Sequence, residues 1–230
     1  MIETNSSENQ IHTVSSFSEL ISTPFEGMIN ALCWERELEG DFSEIIESAV
    51  KTSNITVLDE LSLGALELTE QGNLARNILL DDLRILKGHG AAPILNIINH
   101  YERDDFFFST DVYSFHVDRS PIPTDTFLCT YHGATSEIVA NNQAQQKVLI
   151  PEIRAELKKL YQGPDEGFEA FLTEYFFDLH YQAKPDAQII SLGQQHIWRL
   201  AIDHPESKVL PCLHRAPKEN SDEPRLLLIC

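Results

Sequence analysis

A histidine and an aspartate lie two residues apart in the segment YSFHVDRSP, residues 113–121. The segment is apolar and aromatic, which predicts a β-strand. Alternate residues of a strand share a face, so His116 and Asp118 point the same way and Val117 points oppositely. A neutral imidazole beside a carboxylate supplies two of the three ligands that a divalent metal needs. The segment therefore predicts half of a metal site.

His214, in the segment VLPCLHRAP, is the best candidate for the third ligand. Two histidines and one carboxylate leave coordination positions open, which suits non-haem Fe(II) and its oxygen chemistry. Cys212 lies two residues earlier, on the same face of a regular strand. A thiolate ligand there favours zinc and a closed binding site instead.

Arg225 begins the terminal segment RLLLIC. A guanidinium on a strand beside the metal site can hold a carboxylate through two hydrogen bonds. Burying an arginine is costly unless an anion meets it, so an inward Arg225 implies a ligand. Simpler interpretations stay open. His116 and Asp118 could be an ordinary hydrogen-bonded pair, and His214 could be a core histidine. Arg225 could be exposed to solvent without a ligand.

Helical and strand patterns alternate in blocks along the chain. We expect a flexible tail over residues 1–15, helical support over 16–92 and a barrel over 93–230. Within the helical part, one helix should begin after Asp41 or Ser43 and another near Thr69. Short β-branched and aromatic segments indicate the strands of the barrel, and helical periodicity returns in an insert over 151–182. Helices separated from strands predict an α+β fold with an antiparallel sheet or barrel.

The chain resembles the Fe(II)- and 2-oxoglutarate-dependent oxygenases. The resemblance rests on His-x-Asp, a later histidine and an arginine beyond it, at His116, Asp118, His214 and Arg225. The segments FHVDRSP, FLCTYHGATSEIV, LPCLHRAP and PRLLLIC are also similar to an uncharacterised bacterial family known only as a domain of unknown function. The resemblance covers residues 93–230.

This resemblance implies a double-stranded β-helix, a jelly-roll or cupin-like barrel with the metal inside one end. It implies that His116, Asp118 and His214 bind Fe(II) and act in catalysis. It also implies that 2-oxoglutarate chelates the iron, with its far carboxylate on Arg225 and a further hydrogen bond from Tyr131. The expected reaction is a dioxygenase-type oxidation, a hydroxylation or a related step on a small molecule or a protein side chain.

Composition limits the partners. The chain has 36 acidic residues against 17 basic ones and a net charge of −19, which disfavours nucleic acid and anionic membranes. It contains no run of apolar residues long enough to span a membrane. Four scattered cysteines without a C-x-x-C pair indicate reduced thiols and a cytoplasmic protein.

Two other functions remain open from the sequence. One is a non-catalytic barrel that binds zinc and serves in metal homeostasis. The other is a barrel that has lost its metal and acts as an interaction scaffold. No serine-nucleophile elbow, phosphate-binding loop or H-E-x-x-H motif occurs, which argues against the common hydrolases, nucleotidases and zinc proteases.

Overall fold

Two curled, mostly antiparallel sheets form the centre of an α+β fold. The computed structural model describes residues 10–49, 53–175, 177–218 and 223–230. The larger sheet has the strand order β1 (Ile11–Val14), β2 (Ala31–Trp34), β11 (Ile197–Ala201), β6 (Asp125–His132), β13 (Arg225–Ile229), β4 (Ile94–Ile98) and β3 (Ile55–Leu58). The smaller sheet has the order β10 (Ile189–Ser191), β7 (Glu137–Val139), β12 (Leu213–Arg215), β5 (Phe115–His116), β9 (His180–Ala183) and β8 (Ala144–Gln146).

Apolar side chains from both sheets fill the space between them. One continuous cluster includes Leu128 and Leu227 from the larger sheet, Ile138 from the smaller one, and Cys212 just before β12. In β2 and β11 the cluster takes alternate residues, Ala31 and Cys33 in one and Trp198 and Leu200 in the other, as expected when one face of a sheet is buried. The apolar interior thereby fixes which side chains of β5, β7, β12 and β13 point inward.

Helices cover the outer face of the larger sheet. The described residues form the α-helices α1 (Phe17–Ser22), α2 (Phe42–Ser48), α3 (Glu60–Gly64), α4 (Glu70–His89), α5 (Pro151–Leu160) and α6 (Phe168–Glu174). Helix α4 packs Leu79, Leu83 and Leu86 into a second core cluster together with residues of β4, β6 and β13. Among the described residues, no helix has the length and apolar content needed to cross a bilayer.

The helix starts expected at Asp41 or Ser43 and near Thr69 are present, and Asp41 is the cap of the first helix. The Asp41 side chain accepts hydrogen bonds from the backbone N–H groups of Ser43 and Glu44, and the Thr69 hydroxyl accepts one from Gly72. Both caps satisfy backbone donors that the first turn of a helix leaves without partners. Local sequence was sufficient here because a cap is made within a few residues.

The first ninety residues are less helical than expected. Three strands, β1, β2 and β3, lie among the helices and extend the larger sheet at its two ends. Strand β1 pairs in parallel with β2 and begins within the segment expected to be a flexible tail, of which residues 1–9 lie outside the described part. These short strands are stabilised by pairing with distant segments, which local periodicity does not reveal.

The insert after residue 150 is helical for most of its length and ends in a strand. Helices α5 and α6 pack their apolar side chains against Phe106, Phe108 and Phe177 in a cluster of their own. Residues His180–Ala183 then form β9, which pairs with β5 and β8. The insert therefore contributes a strand beside His116 as well as two helices.

Candidate metal centre

Neighbouring strands bring His116 and His214 together. Strands β5 and β12 are antiparallel, and His116 lies directly opposite His214, with ring centroids 4.5 Å apart. Directly opposed residues point to the same side of a sheet. Phe115 and Leu213 point to the other side, where they belong to a separate apolar cluster.

Asp118 completes the group. It follows His116 by two residues and faces the same way, whereas Val117 packs with Phe115 on the outer side. One ligand atom each from His116, Asp118 and His214 lies within 4.8 Å of the others. The Nε2 atom of His214 is 3.6 Å from Oδ2 of Asp118. This spacing fits three ligands around one divalent cation.

Backbone carbonyl groups orient both imidazoles. Nδ1 of His116 is 2.8 Å from the carbonyl oxygen of Ser114, and Nδ1 of His214 is 3.3 Å from that of Cys212. An N–H at Nδ1 that donates to a carbonyl leaves Nε2 without a proton and able to bind a metal. The residue two positions earlier therefore orients each histidine ligand.

The charges of the group suit a cation. Burial, with the neighbouring His214, lowers the pKa of His116 to about 4. Burial raises the pKa of Asp118, but His214 and a hydrogen bond donated by the Thr126 hydroxyl outweigh it, and the pKa stays below its usual value. At neutral pH the site therefore presents a neutral imidazole at position 116 and an ionised carboxylate, as metal binding requires.

A pocket of about 860 Å³ opens in front of His116 and Asp118. Its walls include Leu179 and His180, and Arg119, which forms ion pairs with Asp178 and Asp203. The volume lies in the range of small-molecule sites. The metal group thus borders a space that can admit a substrate.

His180 is a pocket residue that the sequence did not indicate. It lies on β9 directly opposite His116, with ring centroids 5.9 Å apart, and its Nδ1 is buried without a hydrogen-bond partner. In the sequence it follows Asp178 by two residues, but the Asp178 carboxylate pairs with Arg119 and does not belong to the metal-binding group. Only the pairing of β9 with β5 brings it to the site.

Arg225 is buried inside the fold, with a relative exposure of 6%. Its Nε donates to the carbonyl oxygen of Ala134 at 2.6 Å, and its Nη2 donates to the Ser136 hydroxyl at 3.1 Å. The guanidinium also hydrogen-bonds Tyr101, and burial lowers its pKa. Among the described residues, no carboxylate forms an ion pair with Arg225.

Strand register relates Arg225 to the metal group. Ile138 lies directly opposite His214, and Ser136, the hydrogen-bond partner of Arg225, lies two residues before Ile138. Such diagonal neighbours are about 7–8 Å apart. The cavity beside Arg225 is small and shares no lining residue with the large pocket. In the strand register, the fully buried Ile138 lies directly across from His214 and two residues from Ser136.

Tyr131 is placed away from this group. Its side chain lies in the cluster under the helices, and its hydroxyl donates to Oδ2 of Asp82 at 2.6 Å. The neighbouring Thr130 faces the interior instead, because it lies opposite Leu227. The expected hydrogen bond from Tyr131 to a ligand at the metal therefore has no support in the geometry.

Cys212 is close to the site but does not belong to the group. Its thiol is fully buried in the interior cluster, and burial, with the charge of Asp118, raises its pKa far above the usual value. Among the described residues, the metal-binding group consists of His116, Asp118 and His214. Three ligands leave coordination positions open, as a catalytic site needs.

Comparison with protein-family models, curated proteins and solved structures found no match for this chain.

Proposed function

We propose that this chain is an Fe(II)- and 2-oxoglutarate-dependent oxygenase of the hydroxylase type. The observation that carries the proposal is the convergence of His116, Asp118 and His214, from two separate segments, within 4.8 Å at the edge of a large pocket. Two imidazoles and one carboxylate with open positions form the ligand set of non-haem iron oxygenases. Fe(II) would bind to these three residues.

Strand order supports the double-stranded β-helix that this function implies. Strands β4 to β7, and again β10 to β13, alternate between the sheets: β4, β6, β11 and β13 belong to the larger sheet, and β5, β7, β10 and β12 to the smaller one. Strands β8 and β9, between these two runs, both belong to the smaller sheet. A jelly-roll barrel has this alternation, because its chain winds back and forth between two facing sheets.

The surroundings of Arg225 suit the far carboxylate of 2-oxoglutarate. A buried guanidinium without an acidic partner is expensive unless an anion meets it. The hydroxyl of Thr130, opposite the residue two positions after Arg225, is buried and also lacks a partner. A diacid that reaches from the metal to Arg225 would lie over Ile138, so the side chain of Ile138 must move when the diacid binds.

The chain's own residues bind the metal, the diacid and the substrate. His116, Asp118 and His214 hold the metal, Arg225 orients the diacid, and the pocket with His180 receives the substrate, a small molecule or a protein side chain. Bound iron supplies the oxidation, in which O₂ and 2-oxoglutarate give succinate, CO₂ and a hydroxylated substrate C–H bond. All four cysteines are free, which supports a cytoplasmic location.

The test combines metal binding with turnover. We expect the protein to bind Mn(II) in calorimetry, and to form succinate slowly when Fe(II), 2-oxoglutarate and O₂ are supplied without a substrate. His214→Ala should abolish both signals. Arg225→Gln should retain Mn(II) binding and weaken 2-oxoglutarate binding by at least about 30-fold, because a buried charge contact is lost.

His204→Ala is the matched control, because His204 lines the same pocket but lies outside the metal group. It should retain metal binding and succinate formation. Zinc bound tightly by the natively purified protein, with no affinity for 2-oxoglutarate, would contradict the oxygenase and favour a metal-binding barrel. If no divalent cation changes the thermal stability of the protein, an interaction scaffold without a metal would be favoured.

A further inference from the structure

A second pocket lies on the opposite side of the strands that carry the histidines. It has a volume of about 710 Å³, and we call it the basic groove. Four cationic side chains line it, namely Arg103, Lys147, Arg215 and Lys218. Among the described residues, no aspartate or glutamate lines it. This is unexpected in a chain with 36 acidic residues and 17 basic ones.

Strand alternation places the basic groove behind the metal group. Phe115 and Arg215 line the groove, whereas their neighbours His116 and His214 point inward. The groove and the large pocket share no lining residue. The basic groove is therefore a separate site, and its occupant does not need the metal.

Aromatic rings hold both guanidinium groups of the groove. The guanidinium of Arg103 stacks 3.9 Å from the ring centroid of Tyr113, and that of Arg215 lies 4.3 Å from the ring centroid of Phe115. The Nε of Arg215 also donates to Glu137 at 2.7 Å, whereas Arg103 has no ion pair among the described residues. A stacked guanidinium loses less freedom when it binds oxygen atoms of an anion.

Lys147 is held at the wall of the groove by neutral oxygens. Its Nζ donates to the carbonyl oxygen of Ser109 at 2.6 Å and to the Ser114 hydroxyl at 2.7 Å. Burial lowers its pKa, while Asp111 and Asp104 act in the opposite direction. Neither of these acids forms an ion pair with Lys147 or lines the groove. The ammonium therefore retains a donor for an incoming ligand.

We propose that the basic groove binds a small, multivalent anion that carries phosphate. Among the described residues, Glu137 is the only acid that forms an ion pair with one of the four cations, and it pairs with Arg215. Arg103, Lys147 and Lys218 form no ion pair there. Two stacked guanidiniums and two ammonium groups match the many oxygens of such an anion. The volume suits a small molecule.

The experiment uses the full chain, freed of metal by a chelator that is then removed, and inorganic pyrophosphate as the probe in calorimetry at low ionic strength. We expect the wild type to bind pyrophosphate. The double variant Arg103→Gln/Lys218→Gln should weaken binding about tenfold, since it removes two exposed charge contacts. Both residues are exposed and free of ion pairs in the described structure, so the variant should fold.

The matched control is Arg84→Gln/Lys159→Gln, which removes the same charge from exposed sites elsewhere. It should bind pyrophosphate like the wild type, as should His116→Ala. No binding by the wild type, or equal loss in both double variants, would overturn the proposal. Loss in His116→Ala would place the anion at the metal group and also overturn it. Tighter binding of citrate than of pyrophosphate would exclude a phosphate-specific site.

Discussion

Single side chains of the metal group are held in the form that binds a cation. His116 donates from Nδ1 to a backbone carbonyl, and its low pKa keeps it neutral well below pH 7. Asp118 accepts a hydrogen bond from Thr126 and stays ionised. Because burial favours the neutral form of His116, the stability of the metal-free protein should depend on pH in the acid range.

We predict that His116→Gln reduces the pH dependence of stability. The pKa of His116 falls from 6.5 to about 4 on folding, so between these values the unfolded chain binds a proton that the folded chain does not. The free energy of unfolding should therefore fall as the pH drops, by up to about 1.4 kcal/mol per pH unit from this group.

Urea denaturation of the metal-free protein between pH 6.5 and pH 5 measures this effect. His116→Gln should show a shallower decline than the wild type. His100→Gln, at an exposed position, is the control and should keep the wild-type slope. An unchanged slope in His116→Gln would show that this imidazole is protonated equally in both states.

Helix α4 ends later than its sequence indicates. Gly88 is a plausible stop from its position after the apolar repeat, but it lies inside the helix, and Gly90 adopts the left-handed conformation that ends it, with φ 96°. Gly90 donates to the carbonyl oxygens of Leu86 and Lys87. Two glycines in one turn therefore have different roles.

Alanine at these two glycines should change stability in opposite directions. Gly88→Ala should raise the free energy of unfolding by about 0.5–1 kcal/mol, because alanine favours the helix. Gly90→Ala should lower it by about 1 kcal/mol, because a Cβ disfavours positive φ. An added Cβ meets no atom within 4 Å at either site, so steric clashes do not complicate the comparison.

Thermal or urea denaturation of the two variants checks this prediction. Each variant serves as the control for the other, since both make the same chemical change two residues apart. The same sign for both would mean that the end of the helix is not at Gly90.

A buried polar network joins the helical layer to the larger sheet. The guanidinium of Arg36, just after β2, donates to both carboxylate oxygens of Asp82 on α4 at 2.8 Å, and Tyr131 on β6 donates to the same carboxylate. The side chains of Arg36 and Asp82 are 7% and 5% exposed. This buried ion pair therefore links the helical layer to the larger sheet.

We predict that Asp82→Asn lowers the free energy of unfolding by about 3–5 kcal/mol, because it leaves the charge of Arg36 buried without a partner. The adjacent Asp81→Asn is the control. Asp81 pairs with Arg84 at the surface, where such pairs contribute about 0–1 kcal/mol. Equal effects in urea denaturation would mean that the Asp82 carboxylate is not coupled to Arg36.

Local patterns in the sequence were enough for several elements. The caps at Asp41 and Thr69 depend on residues a few positions apart, and so does the shared direction of His116 and Asp118, although the strand ends at His116. The sequence also indicated His214 and Arg225 as candidates, through their order along the chain. Each of these features follows from residue type and short-range geometry.

Tertiary structure decided which candidates meet. The pairing of β5 with β12 places His116 opposite His214, and the pairing with β9 adds His180. The same packing turns Tyr131 toward Asp82, and it groups the cations of the basic groove from separate segments. Strand pairing joins segments far apart in sequence, and burial selects the face of each strand. Neither is encoded in local periodicity, so only the folded chain specifies the site.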